Sequence, residues 1–253
     1  MADLSLHLVM LLVAAAFFAG IIDSIAGGGG LITLPALMLA GVPPLQALST
    51  NKVQGVFGAA TAAVSYARAG HVDLRRQIRS AGMAFAGGLA GAGCAALIPA
   101  DALRMGLPVL LLAIAGFFAF KKGLNDLDRL QRLNPFAFAA FFVPLIGFYD
   151  GALGPGAGSF YMIGFVMLAG YGVLKATAHT KLLNFASNLG GLVAFAAIGK
   201  PLWIVGLAMG VAQIAGARIG SLLAMRVGAR VIRPLLVATS TLLALRLIWQ
   251  NWF

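Results

Sequence analysis

The sequence predicts an all-α polytopic membrane protein of two inverted repeats, each a broken re-entrant helical hairpin followed by three transmembrane helices. Three observations lead there. Of 253 residues, 61% are apolar and only 10% charged, against about 45–50% and 25% in an ordinary globular domain. The apolar residues run in long segments, most of them near the ~20 residues that a helix needs to cross the hydrocarbon core. The second half of the chain also repeats the first.

Taken in order, the apolar segments are 4–22, 31–40, 48–67, 78–98, 103–120, 135–148, 159–170, 176–198, 202–225 and 231–249. The opening stretch lacks the positive n-region of a cleaved signal peptide, so the first segment reads as retained. Segments 31–40, 135–148 and 159–170 are too short to span alone. Each borders a glycine cluster, Gly27–Gly30 or Gly154-Pro155-Gly156-Ala157-Gly158. Such clusters free backbone polar groups that hydrocarbon cannot satisfy, so they belong where protein buries them or where they line a hydrated cavity.

The repeat sets the domain plan. Gly20-Ile21-Ile22-Asp23 corresponds to Gly147-Phe148-Tyr149-Asp150 at an offset of 127. The offset then becomes 129 and pairs Lys52 with Lys181, Gly87 with Gly216, Gly91 with Gly220 and Arg104 with Arg233. Paired Asp, Lys and Arg are rare matches in so apolar a chain, and they mark a duplication. The first repeat is 1–122 (hairpin 4–40, spans 48–67, 78–98 and 103–120). A cytoplasmic linker follows at 123–134. The second repeat is 135–253 (hairpin 135–170, spans 176–198, 202–225 and 231–249). Three spans is an odd number, so the second repeat is inverted. That arrangement puts Arg68, Arg75, Arg76, Arg79, Lys121, Lys122, Arg129, Arg132, Lys175, Lys181, Arg226, Arg230 and Arg233 inside, 13 of the 18 Lys and Arg. A parallel arrangement keeps fewer inside and obeys the positive-inside rule less well. Both termini are then expected outside, in the periplasm of a bacterial inner membrane.

Broken hairpins suggest the chemistry. Helices starting near residues 31 and 159 would aim their N-termini inward, with unpaired N–H groups and a partial positive charge. Two such ends face to face make an anion site without a cationic side chain. Gly28, Gly29, Gly30, Gly156, Gly158 and Ser159 are its backbone candidates, although glycines also serve close helix packing. For Gly87, Gly88, Gly91 and Gly93 the packing reading is preferred. Asn51, Lys52, Gln54, Lys181, Asn184 and Asn188 are the side-chain candidates, the last three falling on one helical face at i, i+3 and i+7. The lysines could instead snorkel, and the amides, Gln213 among them, could be interhelical glue. Asp23 and Asp150 sit where a helix C-terminus disfavours a carboxylate, so each needs a partner or a proton. They read as loop tethers or coupling groups. His179, of a residue type whose unperturbed pKa is close to neutrality, is the other coupling candidate.

At these residues the sequence resembles the TauE/SafE family of sulfite exporters, also called the TSUP family, in its branch of membrane transporters without a named cargo. The motifs are GIIDSIAGGGGLITLPAL (20–37), ALSTNKVQG (47–55), GFYDGALGPGAGSF (147–160), KATAHTKLLNFASN (175–188) and GARIGSLLAMRVGARVIRP (216–234). The resemblance covers essentially the whole chain. It implies a duplicated helical bundle acting as a secondary active transporter. The cargo it implies is small sulfur-containing or organic anions of the sulfite and sulfoacetate type, with ion coupling and alternating access around a midplane site.

Other classes find less support. A single cysteine, Cys94, excludes a disulfide framework and a cysteine metal site. The net charge of +11 fits loop lysines and arginines better than nucleic acid. No nucleotide-binding loop, zinc-protease helix or nucleophile elbow is present, so the protein is not expected to be an enzyme. An intramembrane enzyme and an anion channel stand as the alternatives. Neither cofactor nor metal is expected. The expected partners are the anion, the lipid bilayer and a possible second copy in a homodimer.

Overall fold

A computed structural model describes residues 5–95, 97, 126–128, 130–198 and 200–228, together with positions 234, 238, 241 and 249. The expected span 103–120 and nearly all of 231–249 lie outside the described residues. Everything described is helix or connection. The helices are α1 Leu6–Ala26, α2 Gly30–Leu39, α3 Pro44–Arg68 and α4 Ile78–Ala95. They continue with α5 Pro135–Ala152, α6 Ala157–Met167, α7 Val173–Ile198 and α8 Trp203–Val227.

Local signals set the helix ends. The Ser5 side chain accepts from Leu8 N–H to open α1, and Pro44 at the first turn opens α3, where the missing N–H costs nothing. Asn134 accepts from Ala137 N–H at 2.7 Å to start α5. Gly228, at φ 63°, ends α8. Among these helices α1, α5, α7 and α8 are long and apolar enough to cross a membrane. Their outer faces carry large apolar side chains, with Ile204 86% and Val211 68% exposed. Lipid, rather than water, is the solvent such a surface suits. The protein is a multi-pass helical membrane protein.

One element departs from expectation. The segment 135–148 reads as too short to span, yet α5 runs on to Ala152 through a π-helical turn at Phe138–Phe142 and reaches 18 residues. Asp150 and Gly151 look like a break in sequence. In the fold the Asp150 charge is paired by Lys52, and at Gly151 the backbone of α4 comes close, so that a Cβ there would overlap Gly88 O. Likewise Asp23 lies in the last turns of α1, before the break and not after it. The short α2 and α6, 10 and 11 residues, extend only about 15 Å at 1.5 Å per residue. Leu34 and Leu37 of α2 join Leu12 and Ala16 of α1 in one apolar cluster, so α2 folds back along α1.

Helices of the two halves interleave. α1 packs on α8 and α4 on α5, while α3 and α7 pack on each other and on α8 and α4 respectively. A methyl at Gly87 or Gly91 of α4 would overlap the carbonyl oxygens of Pro144 or Phe148 in α5. A methyl at Gly216 or Gly220 of α8 would overlap those of Phe17 or Ile21 in α1. The two sets correspond at offsets of 129 and 127, the same that align the lysines and the aspartates. Gly88 packs just as closely on Ser187. Gly93 meets nothing within 4 Å among the described residues, so the packing reading does not extend to it.

Two contacts hold the site's surroundings. Tyr66, fully buried, donates its hydroxyl to Ser24 O at 2.9 Å. Tyr66→Phe is expected to cost about 1 kcal/mol, read as a lowered unfolding midpoint in detergent; an equal midpoint would mean that Ser24 finds another donor. On the linker, Asp126 and Asp128 accept from the N–H groups of Leu174 and Gly172, at 2.9 and 2.8 Å, which caps α7 from outside its own chain segment. The Lys175 ammonium, 2.5 Å away, and then the Gly172 N–H hold the Asp128 carboxyl below the ordinary carboxylate range.

Candidate functional site

The two glycine-rich tips meet. Gly27, at φ 78°, takes a conformation that side-chain-bearing residues rarely adopt, and a Cβ there would lie 2.6 Å from Gly158 C and 2.7 Å from Ser159 N. The Ser159 hydroxyl donates to Ala26 O at 3.3 Å. Gly156, at φ 85°, turns the chain into α6. The N-termini of α2 and α6 are thereby brought to one place.

Each aspartate is held differently. Asp23 Oδ1 accepts from Gly28 N at 3.0 Å and Gly29 N at 2.9 Å. These N–H groups of the turn answer the carbonyl-rich helix end that would otherwise disfavour the charge. The Lys181 ammonium donates to the Asp23 carbonyl and not to its carboxylate. Asp150 instead forms an ion pair with Lys52, Nζ to Oδ1 at 2.6 Å, the two side chains being 2% and 1% exposed. Lys52 also donates to Asp150 O at 2.5 Å. Asp150 Oδ2 takes the Ser187 hydroxyl at 2.5 Å and Asn188 Nδ2 at 3.0 Å. Both oxygens of that carboxylate are engaged.

Between the tips lies a polar cavity of about 20 Å³, room for a single water. Gly28, Gly30, Gly156 and Gly158 line it, with Asp23, Asp150, Asn51, Gln54, Asn184 and Asn188. The N–H groups of Gly30, Gly156 and Gly158 have no acceptor among the described residues. Asn51 Oδ1 is used by the Thr33 hydroxyl at 2.5 Å and by Gln54 Nε2 at 2.7 Å, which leaves Asn51 Nδ2 beside Gly30. Asn184 Oδ1 is used by Asn188 Nδ2 at 3.2 Å, which leaves Asn184 Nδ2 beside Gly158. Five N–H groups thus converge from both halves, each able to donate to an oxyanion.

Other sequence candidates stand behind or away from this lining. Gly29 backs onto Asp23. Lys52 runs between Gly154 and Gly191 to reach Asp150. Ser159 and Lys181 tie the tip of α1 to α6 and α7. His179 is remote, with Nδ1 at 2.9 Å from Lys175 O and its ring against Tyr171 and Phe165 at 4.9 and 5.6 Å between centroids. Thr33 and Ser187 escaped the sequence reading. Both were findable by helical spacing, Thr33 four residues after Gly29 and Ser187 three after Asn184. Gln213, read as glue, also lines the cavity, as do Gly55, Gly154 and Ala157.

Comparison with known proteins agrees with this architecture. The profile of the sulfite exporter TauE/SafE family matches residues 12–247. The chain is 56% identical to the probable membrane transporter protein ORF9 of Sinorhizobium sp over 98% of its own length and 95% of the relative's. It is 44% identical to the probable membrane transporter protein YfcA of Escherichia coli K12, covering 93% and 88%. A probable membrane transporter protein of Haemophilus influenzae is 40% identical over 99% of both chains. No solved structure matches the chain. The family and these relatives are transporters and not enzymes, and the chain belongs with them, as a multi-pass membrane transporter of the TauE/SafE sulfite exporter family.

Proposed function

We propose that the chain is a secondary active transporter of small sulfur-containing or organic anions of the sulfite and sulfoacetate type, ion coupled, in a bacterial inner membrane. The observation that carries this reading is the convergence of five N–H donors on one cavity, drawn from both tips and the helices beside them, with the Lys52 and Lys181 ammonium groups bonded to Asp150 and to the Asp23 carbonyl. An oxyanion accepts from such donors, and the N-termini of α2 and α6 favour its charge. A carrier needs a site that both faces reach in turn. Two inverted repeats meeting at their tips supply one, with both termini periplasmic by the positive-inside rule. The matched glycine contacts of α4 with α5 and of α8 with α1 support the duplication.

The test is counterflow of labelled sulfite and sulfoacetate in proteoliposomes, with and without an imposed pH gradient. Saturable exchange is the expected result. Flux linear in concentration would replace the carrier with a channel, and silence for both anions would remove the substrate class. Asn184→Leu is expected to raise the half-saturating anion concentration by about 10- to 100-fold, the loss of a hydrogen bond to a charged acceptor. A change under twofold would take Asn184 out of the site.

A further inference from the structure

We propose that Asp23 carries the coupling proton, taking it up when the anion enters and releasing it when the anion leaves. This rests on the anion site proposed above. The two aspartates occupy corresponding positions of the repeat, yet only one is committed to a cation. Asp150 is paired with Lys52 on Oδ1 and accepts from Ser187 and Asn188 on Oδ2. Asp23 uses Oδ1 for two glycine N–H groups, and no donor reaches Oδ2 among the described residues. Both carboxylates border the cavity. An anion entering beside an ionised Asp23 brings like charges together in a water-poor site, where repulsion is strong. One proton on Asp23 removes it: a carboxylate plus a proton becomes a carboxylic acid, with no other reactant.

The charged and titratable neighbours leave that proton no nearer home. α3 presents Tyr66, whose hydroxyl is committed to Ser24 O, and Lys52, committed to Asp150. α7 presents Lys181, whose ammonium donates to the Asp23 carbonyl and also attracts its carboxylate. α5 presents Asp150. On α6 the Tyr161 hydroxyl donates to Val143 O at 3.2 Å, and on α8 Arg218 is exposed. α2 has no titratable side chain. A second observation points the same way. Gln54 and Gln213, 1% and 2% exposed, both line the cavity and both keep an Oε1 that no donor reaches among the described residues. Gln213 packs on Gly20, one turn from Asp23 on the same face of α1.

The decisive experiment uses the full chain and sulfoacetate, which keeps its charge across the neutral range, whereas sulfite itself takes up a proton there. In weakly buffered detergent solution a pH indicator should report about one proton taken up per sulfoacetate bound. In proteoliposomes the apparent affinity should fall about tenfold per pH unit where Asp23 ionises, as obligatory co-binding requires. Asp23→Asn should flatten that dependence to within twofold, abolish proton uptake and abolish gradient-driven accumulation. Wild-type exchange without proton uptake, or with sodium in place of the proton, overturns the proposal and leaves the anion carrier standing. Coupling that survives in Asp23→Asn overturns it too. The wild-type proton count decides even if the variant does not fold. Sulfoacetate that neither binds nor exchanges fails the anion reading first, and this proposal with it.

Discussion

Lys52→Met is expected to destabilise the protein by about 3–5 kcal/mol, because it removes the cation from a buried pair and leaves the carboxylate behind. Lys52 is 1% exposed, and its ammonium serves both the carboxylate and the carbonyl of Asp150. Methionine keeps the aliphatic stem that passes Gly191 and Gly154, so the cost is electrostatic and not a cavity. Asp150 would then hold its charge with only Ser187 and Asn188, or take up a proton. Unfolding by denaturing detergent, followed in mixed micelles, measures the effect. The double variant Lys52→Met/Asp150→Asn should recover more than half of the loss, because no uncompensated charge remains. A loss below 1 kcal/mol in the single variant would mean that water reaches the pair.

Gly91→Ala is expected to have the next largest effect, a loss of about 1–3 kcal/mol or more from overpacking. The new methyl would overlap the Phe148 carbonyl oxygen on α5, and that oxygen belongs to backbone, which has no rotamer to change. α4 and α5 must move apart, opening contacts at Gly87 and Gly151 along the same seam. In lipid, close backbone approach is the main attraction between helices, so no hydrophobic gain offsets the separation. Gly93→Ala, two residues away, is the control. Its methyl meets nothing within 4 Å among the described residues, and alanine's better helix propensity should leave stability equal or raised by up to about 1 kcal/mol. An equal loss at Gly93 would show that the cost at Gly91 does not come from contact with α5.

Much of the architecture was legible before any coordinates. Long apolar runs located α1, α3, α4, α7 and α8 to within a few residues, because hydropathy is summed over neighbours in the chain. The glycine clusters located both tips. Length misled only where a charge lay inside a span. Asp150 looked like the end of a helix because a lone carboxylate is expensive in hydrocarbon, and nothing in the segment 135–152 announces that Lys52, 98 residues away, neutralises it. The candidate residues divide the same way. Asn51, Asn184 and Asn188 could be placed on helical faces by spacing. Lys52 and Lys181 could not be told from anion ligands, because their direction depends on how α3 and α7 are rotated. His179 drew notice by its ordinary titration range, and the fold puts it in an aromatic cluster away from the cavity.

The sequence by itself determined the solvent, the helices, the two backbone breaks and the family. All of these are properties of composition or of local order along one strand of chain. Only the tertiary structure decided that Asp150 is paired with Lys52, that Lys181 bonds the Asp23 carbonyl, and that Asn51 and Asn184 present N–H groups to the cavity. Those outcomes depend on distances between residues far apart in the chain, and in a bundle where nearly every face is apolar, hydropathy does not say which face meets which. Backbone clearance at glycines such as Gly87, Gly91, Gly216 and Gly220 does, because there two helices come close enough to set the rotation of both.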